Sequence, residues 1–157
     1  MTIAKKISCW SGVAGCILLS FSATAQSRFS YSTQGAEVID SQTGLIWRRC
    51  SEGQSWDGST CTGSASGFTH EGALVHARSQ EGWRLPNVKE LSSIVDKTRV
   101  VPAIDVTAFP ATSPSHYWSS SPNVGDASYA WNISFRYGFV DTLSFNRNSG
   151  LFLRLVR

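Results

Sequence analysis

The sequence predicts an α+β fold in which two helices pack on antiparallel strands joined by long irregular loops. Two segments in the middle of the chain carry apolar residues at helical spacing, whereas later segments alternate apolar and polar residues as strands do. Between them, residues 97–125 hold four of the five prolines and predict a long irregular connection. At 157 residues, the chain has room for one domain and at most an appendage.

Residues 1–25 are expected to be a secretory signal peptide. Lys5 and Lys6 supply the positive start, a mostly apolar run follows, and Ala23-Thr24-Ala25 fits a cleavage site that leaves Gln26 first. The apolar run is short and interrupted by serine, so a membrane-spanning helix is not expected. The protein is therefore expected to be secreted or periplasmic.

Lipid anchoring is the alternative for the same residues. The run that ends in Cys16 resembles a bacterial lipobox, which would attach a lipid to that cysteine. However, three apolar residues continue beyond Cys16, and the apolar run before it is very short. Ordinary cleavage is the preferred interpretation.

Two cysteines, Cys50 and Cys61, remain after cleavage. They flank a loop rich in glycine and serine, and in an exported chain this spacing predicts one disulfide that closes the loop. The alternative is a pair of metal ligands, for which only His70 is near in sequence. No metal and no cofactor is expected.

The N-terminal part of the domain predicts strands. Phe29 and Tyr31 alternate with polar residues in a short first strand, and residues 37–40 and 45–48 flank a glycine-containing turn. This pattern is typical of a β-hairpin.

Both helices are predicted from the capping residues at their N-termini. Thr69 is expected to cap a first helix that runs to about Ser79. In the second, Asn87 is a favourable N-cap and Glu90 completes a capping box, with the apolar face continuing toward Asp96.

The C-terminal part predicts a β meander. Trp131, Ile133 and Phe135 alternate with polar residues, and Tyr137-Gly138 is expected to turn the chain. Strand-period aromatic residues are typical of a core, so Trp131 is interpreted as a core residue. The other predicted strands cover residues 117–121, 139–145 and 151–156, and the N- and C-terminal strands are expected to meet in one sheet.

The charge of the chain argues against nucleic-acid binding. The formal net charge is +3, but beyond residue 25 twelve Lys/Arg face eleven Asp/Glu. A net charge of +1 over the predicted exported part is too small for a general phosphate-binding surface.

A basic group in the C-terminal part is the candidate ligand site. Residues 97–157 contain six Lys/Arg and three Asp/Glu. Arg136 and Arg147 lie at or near predicted turns, and Arg99 begins the long loop. A guanidinium group suits sulfate or carboxylate, and Tyr117 or Tyr137 is expected to stack on a sugar ring. The alternative, a solvated face with structural ion pairs, remains open.

The sequence gives less support for a catalytic or metal site than for a basic ligand site. Ser119, His116 and Asp105 could form a triad, but no nucleophile-elbow pattern surrounds the serine. His70 and His76 are six apart and do not share a helix face as metal ligands at i,i+4 would.

Five runs in order resemble the Lcl C-terminal domain family over residues 37–157, with residues 26–36 as a lead-in: residues 40–47, 82–91, 102–105, 117–121 and 153–157. The resemblance implies an exported or surface-attached bacterial protein with a C-type-lectin-like fold. One member domain ends a collagen-like adhesin and binds sulfated polysaccharides. Arg84 and Arg154, inside these runs, are expected to be structural.

The run that begins at Trp83 is also similar to formylglycine-generating, sulfatase-modifying enzymes. Those enzymes use two cysteines in the C-terminal part of the domain, and here no cysteine follows Cys61. The expected function is therefore a non-enzymatic binding module for an acidic or sulfated glycan or another surface ligand. The alternatives are a protein-interaction domain of the bacterial envelope and, third, a hydrolase or modifying enzyme.

Overall fold

The computed structural model describes residues 27–157. The predicted signal peptide, its cleavage site and the lipid alternative at Cys16 lie outside the described residues. The described part is α+β, with two helices and three antiparallel sheets, as predicted from the sequence. Over residues 27–157, no helix is long and apolar enough to cross a membrane.

The first sheet confirms the N-terminal hairpin. It contains β1 (Phe29–Tyr31), β2 (Glu37–Asp40) and β3 (Ile46–Arg48) in that order, all antiparallel. Since β1 pairs along its whole length with β2, the predicted lead-in contributes one strand to this sheet.

A small ribbon follows, and it is closed by the predicted disulfide. Strands β4 (Ser55–Trp56) and β5 (Cys61–Thr62) pair antiparallel. Cys50 and Cys61 form the disulfide, and both are buried.

Both helices begin at the predicted caps. Thr69 accepts a hydrogen bond from the amide of Gly72 at the start of α1 (His70–Ser79). Asn87 and Glu90 form the complete capping box of α2 (Val88–Ser93).

Helix α2 is shorter than the apolar pattern predicts. It ends at Ser93 because the next residues pair with a distant segment: Val95 bridges to Ile104, and the Asp96 amide donates to the carbonyl of Ala103.

The third sheet is the meander. It contains β6 (His116–Pro122), β7 (Ala130–Ser134) and β8 (Phe139–Asp141), in that order and antiparallel. Strand β8 ends at Asp141, earlier than predicted, because its carboxylate accepts hydrogen bonds from the amides of Leu143 and Ser144 and turns the chain.

The last residues do not form the predicted regular strand. Instead, residues 151–156 make single bridges to several partners, including Trp47 with Val156 and Tyr117 with Phe152. This segment therefore lies between β3 and β6 and joins the N-terminal and C-terminal sheets, which remain separate sheets.

The core consists of two clusters. The first lies between α2 and the sheets, and the second lies under α1. Fully buried large residues of the first include Trp47, Leu91, Tyr117 and Ile133, and those of the second include Trp118 and Leu153.

Arg154 is fully buried, which confirms its structural role. Its guanidinium donates to the backbone carbonyls of Arg48 and Arg49 and to the hydroxyls of Ser51 and Thr112. Burial lowers the pKa of Arg154 to about 10. The second structural arginine, Arg84, is held by the carboxylate of Glu90 at 2.7 Å.

Candidate functional site

The turn between β7 and β8 carries two of the predicted site residues, Arg136 and Tyr137. The turn is closed by a hydrogen bond from the Gly138 amide to the carbonyl of Ser134, at 2.7 Å. Gly138 has a φ of +78°, and a Cβ there would lie 2.7 Å from a methyl of Val95. Glycine therefore allows the turn to pack against the residues that follow α2.

Arg136 and Tyr137 form one exposed unit. The Nε of Arg136 donates to the Tyr137 hydroxyl at 3.0 Å, and the guanidinium lies 5.3 Å from the ring centroid. Tyr137 is 48% exposed. Within residues 27–157, no ion pair includes Arg136, so its two terminal amino groups remain available to an external anion.

Arg99 lies on a neighbouring loop, but its charge is offset. The amide of Val101 donates to the carbonyl of Arg136 at 2.9 Å, which places this loop beside the turn. The Arg99 Nε donates to Asp96 at 2.9 Å. Hydrogen bonds from the side chain and amide of Thr98, followed by Arg99, lower the pKa of Asp96. The net charge of this pair is zero.

Arg147 lies away from the Arg136–Tyr137 unit and makes hydrogen bonds to other residues. Its Nε donates to Nδ1 of His70 at 3.1 Å, and its amide donates to the carbonyl of Ser128. Ser128 precedes β7 and Arg136 follows it, and a strand of five residues spans roughly 15 Å. Arg147 therefore lies about one strand length from Arg136, and contact of both arginines with one ligand stays a prediction.

The prediction that Tyr117 stacks on a sugar ring is wrong, because Tyr117 is fully buried. Its ring packs 5.0 Å from that of Phe135 and 5.6 Å from that of Phe152. Its hydroxyl shares a 2.9 Å hydrogen bond with the Ser51 hydroxyl. Tyr117 is a core residue.

The three residues considered for a catalytic triad have other partners. The Ser119 hydroxyl donates to the carbonyl of Trp131, and His116 Nδ1 lies 2.7 Å from the side-chain oxygen of Asn132. The Asp105 carboxylate accepts from backbone amides. These three side chains therefore do not form the serine–histidine–aspartate hydrogen-bond chain of a catalytic triad. Over residues 27–157, no cluster of three or more His, Cys, Asp or Glu is placed to hold a metal ion.

In one cleft of the structure, the charged side chains pair with one another. The cleft measures about 260 Å³ and lies between Trp56 and Trp83. Arg48 pairs with Glu52 at 3.0 Å, and Glu52 also bonds His76 at 2.6 Å. Since these groups satisfy one another, the cleft offers little to a charged ligand.

A groove that the sequence did not predict lies between α2 and the third sheet. It measures about 380 Å³, and its walls include Trp131 and Val140. The alternation in the sequence predicts Trp131 as a core residue, but in the structure it is only partly buried. Alternation along a strand shows which side chains share a face of the sheet, but it does not show whether another element packs on that face. The sequence therefore carries no signal for this groove.

Comparisons with known proteins give one match. A family model described as the Lcl C-terminal domain matches residues 36–157, almost the whole of the described chain. No curated protein and no solved structure matches the chain. The match begins within the first sheet, so β1 lies outside it although it pairs with β2.

Proposed function

This chain belongs to the Lcl C-terminal domain family, and from that premise we propose that it is an exported, non-enzymatic module that binds an acidic glycan through Arg136 and Tyr137. The observation that carries the proposal is the exposed guanidinium of Arg136, which is oriented by Tyr137 and has no carboxylate partner over residues 27–157.

The chemistry of this unit suits an anionic sugar. A guanidinium group presents paired N–H donors that match a carboxylate or a sulfate group. Most other arginines are occupied: Arg28 by Asp40, Arg157 by Glu37 and Arg99 by Asp96. The exposed Tyr137 side chain adds an apolar surface for the C–H face of a sugar.

Export is the second part of the proposal. It is supported by the predicted signal peptide at residues 1–25 and by the buried disulfide, since disulfides persist in oxidising compartments. The C-type-lectin-like character implied by the resemblance stays a prediction.

A glycan-array screen of the oxidised protein at two salt concentrations tests the proposal. Binding confined to sulfated or uronic-acid glycans, and weaker at the higher salt concentration, is expected because exposed charge pairs are screened by salt. A blank array, or binding to neutral glycans alone, contradicts it.

A protein-interaction domain is the second candidate, and one observation favours it. Strand β8 lies at the edge of its sheet, and Phe139 and Leu143 nearby are 65% and 67% exposed. Exposed apolar residues along a sheet edge are typical of an interface. Envelope crosslinking tests this candidate: a partner captured by the native chain and lost in Phe139→Lys supports it, and no captured partner contradicts it.

A further inference from the structure

We infer that the groove between α2 and strands β7 and β8 is a binding subsite for one pyranose ring that carries an anionic group. The inference rests on the proposed function and adds a second position on the same ligand. The groove is lined by Val88, Lys89, Ser92, Ser93, Trp131 and Val140.

Trp131 is the aromatic wall of the groove. Over residues 27–157, no arginine and no aromatic ring stacks on it, whereas an arginine lies over two other indoles: Arg49 over Trp56 at 3.9 Å and Arg157 over Trp83 at 4.7 Å. An uncovered indole offers a flat apolar surface that fits the C–H face of a sugar. Val88 and Val140 add apolar surface to the same lining.

The charge of the groove determines the class of sugar. Lys89 is exposed and is the charged residue of the lining. The nearest acidic residue on α2, Glu90, is already held by Arg84 through two hydrogen bonds of 2.7 Å. The net positive charge therefore favours a ring with one carboxylate or sulfate, and Ser92 adds a hydroxyl that can bond the hydroxyl edge of the ring.

The groove lies a few residues along the chain from the proposed glycan site. Val140 belongs to β8, which directly follows the turn that carries Arg136 and Tyr137. Gly138 of that turn packs against Val95, just beyond the end of α2. From Tyr137 to Val140 the chain covers roughly 10 Å, so a short oligosaccharide can reach both positions.

Three probes separate the possible ligands. Hyaluronan hexasaccharide carries carboxylates, chondroitin sulfate hexasaccharide carries carboxylates and sulfates, and maltohexaose is neutral. The readouts are the affinity measured by calorimetry and the chemical shift of the Trp131 indole N–H, assigned from its loss in Trp131→Phe. The oxidised protein is used throughout.

The inference predicts that at least one acidic probe shifts the Trp131 indole signal and that maltohexaose does not. Trp131→Ala is expected to weaken binding about tenfold, with Trp131→Phe retaining part of the affinity. Lys89→Ala is expected to weaken it several-fold. Arg78→Ala is the matched control, since it removes one exposed helix charge elsewhere and is expected to leave the affinity unchanged.

The outcomes distinguish the two proposals. If the acidic probes bind and Arg136→Ala weakens them, but the Trp131 signal and the Trp131 variants show no effect, the groove is overturned and the proposed function stands. If no acidic probe binds the native protein, the proposed function fails. An equal response to maltohexaose overturns the anionic class.

Discussion

The Nε of Arg147 donates a hydrogen bond to the Nδ1 of His70, 3.1 Å away. On the other side of the ring, Nε2 lies 3.0 Å from the carbonyl of Ser119. A carbonyl only accepts, so Nε2 carries the proton and Nδ1 is the acceptor. His70 is therefore a buried, neutral histidine, and Arg147 is its hydrogen-bond partner.

This pair predicts acid sensitivity. Burial, followed by the nearby Arg147 guanidinium, lowers the pKa of His70 from 6.5. The unfolded chain therefore binds a proton at His70 more readily than the folded protein does. The contribution of neutral His70 to the free energy of unfolding is fully present above pH 6.5. It is lost as the pH falls from 6.5 toward the pKa in the folded protein. The free energy of unfolding, measured in urea from pH 7 to pH 5, is expected to fall.

The variant His70→Gln tests the cause. A glutamine can donate to Ser119 and accept from Arg147, but it does not titrate. It is expected to reduce the fall in stability, whereas His116→Gln, which leaves the pair intact, is expected to retain it. An unchanged pH profile in His70→Gln contradicts the role given to this residue.

The buried guanidinium of Arg154 is expected to be necessary for stability. Arg154→Met leaves the carbonyls of Arg48 and Arg49 and the hydroxyl of Thr112 without their donor. The expected loss is about 2–4 kcal/mol in the free energy of unfolding. Arg78→Met, at an exposed position, is the control. Equal stability of the two variants would show that the buried network contributes nothing.

The Cys50–Cys61 disulfide is expected to stabilise the fold through the unfolded state. The two cysteines lie 11 positions apart in the sequence. A loop of this length predicts a loss of about 3 kcal/mol when both cysteines are replaced by alanine. Denaturation of the double variant should match that of the reduced native protein. A midpoint equal to that of the oxidised protein would refute this prediction.

The capping box of α2 gives a smaller, local prediction. The Asn87 side chain accepts from the Glu90 amide at 3.0 Å, and the Glu90 carboxylate accepts from the Asn87 amide at 2.8 Å. Asn87→Ala is expected to reduce the free energy of unfolding by about 1 kcal/mol. Asn148→Ala, at an exposed position, should have little effect in the same denaturation experiment. Two variants of equal stability would argue against the cap.

Local signals explain the part of the fold that the sequence predicts. The hairpin, both helix starts and the turn at Gly138 depend on neighbouring residues, and all are confirmed. The end of α2 depends on the pairing of Val95 with Ile104. The conformation of the C-terminal residues depends on single bridges to several distant residues. Such long-range pairings leave no periodic pattern in the sequence.

The candidate site shows the same limit. Arg136 and Arg147 look alike in the sequence, because both lie at turns. His70, which engages Arg147, is 77 residues away along the chain. Tyr117 lies on β6, whose residues 117–119 are all buried, so alternation does not show that its ring is inaccessible. Arg136 and Tyr137 are neighbours in sequence, and they are the part of the prediction that the structure brings together.

The affinity of Arg136→Ala for an acidic oligosaccharide tests whether Arg136 is the anion-binding group. The protein is oxidised, the ligand is chondroitin sulfate hexasaccharide, and calorimetry is performed at two salt concentrations. We expect the native protein to bind and to weaken with salt, and Arg136→Ala to lose about tenfold in affinity together with part of the salt dependence. Arg78→Ala should bind as the native protein does. Equal affinity and equal salt dependence in Arg136→Ala would show that Arg136 does not bind the anion.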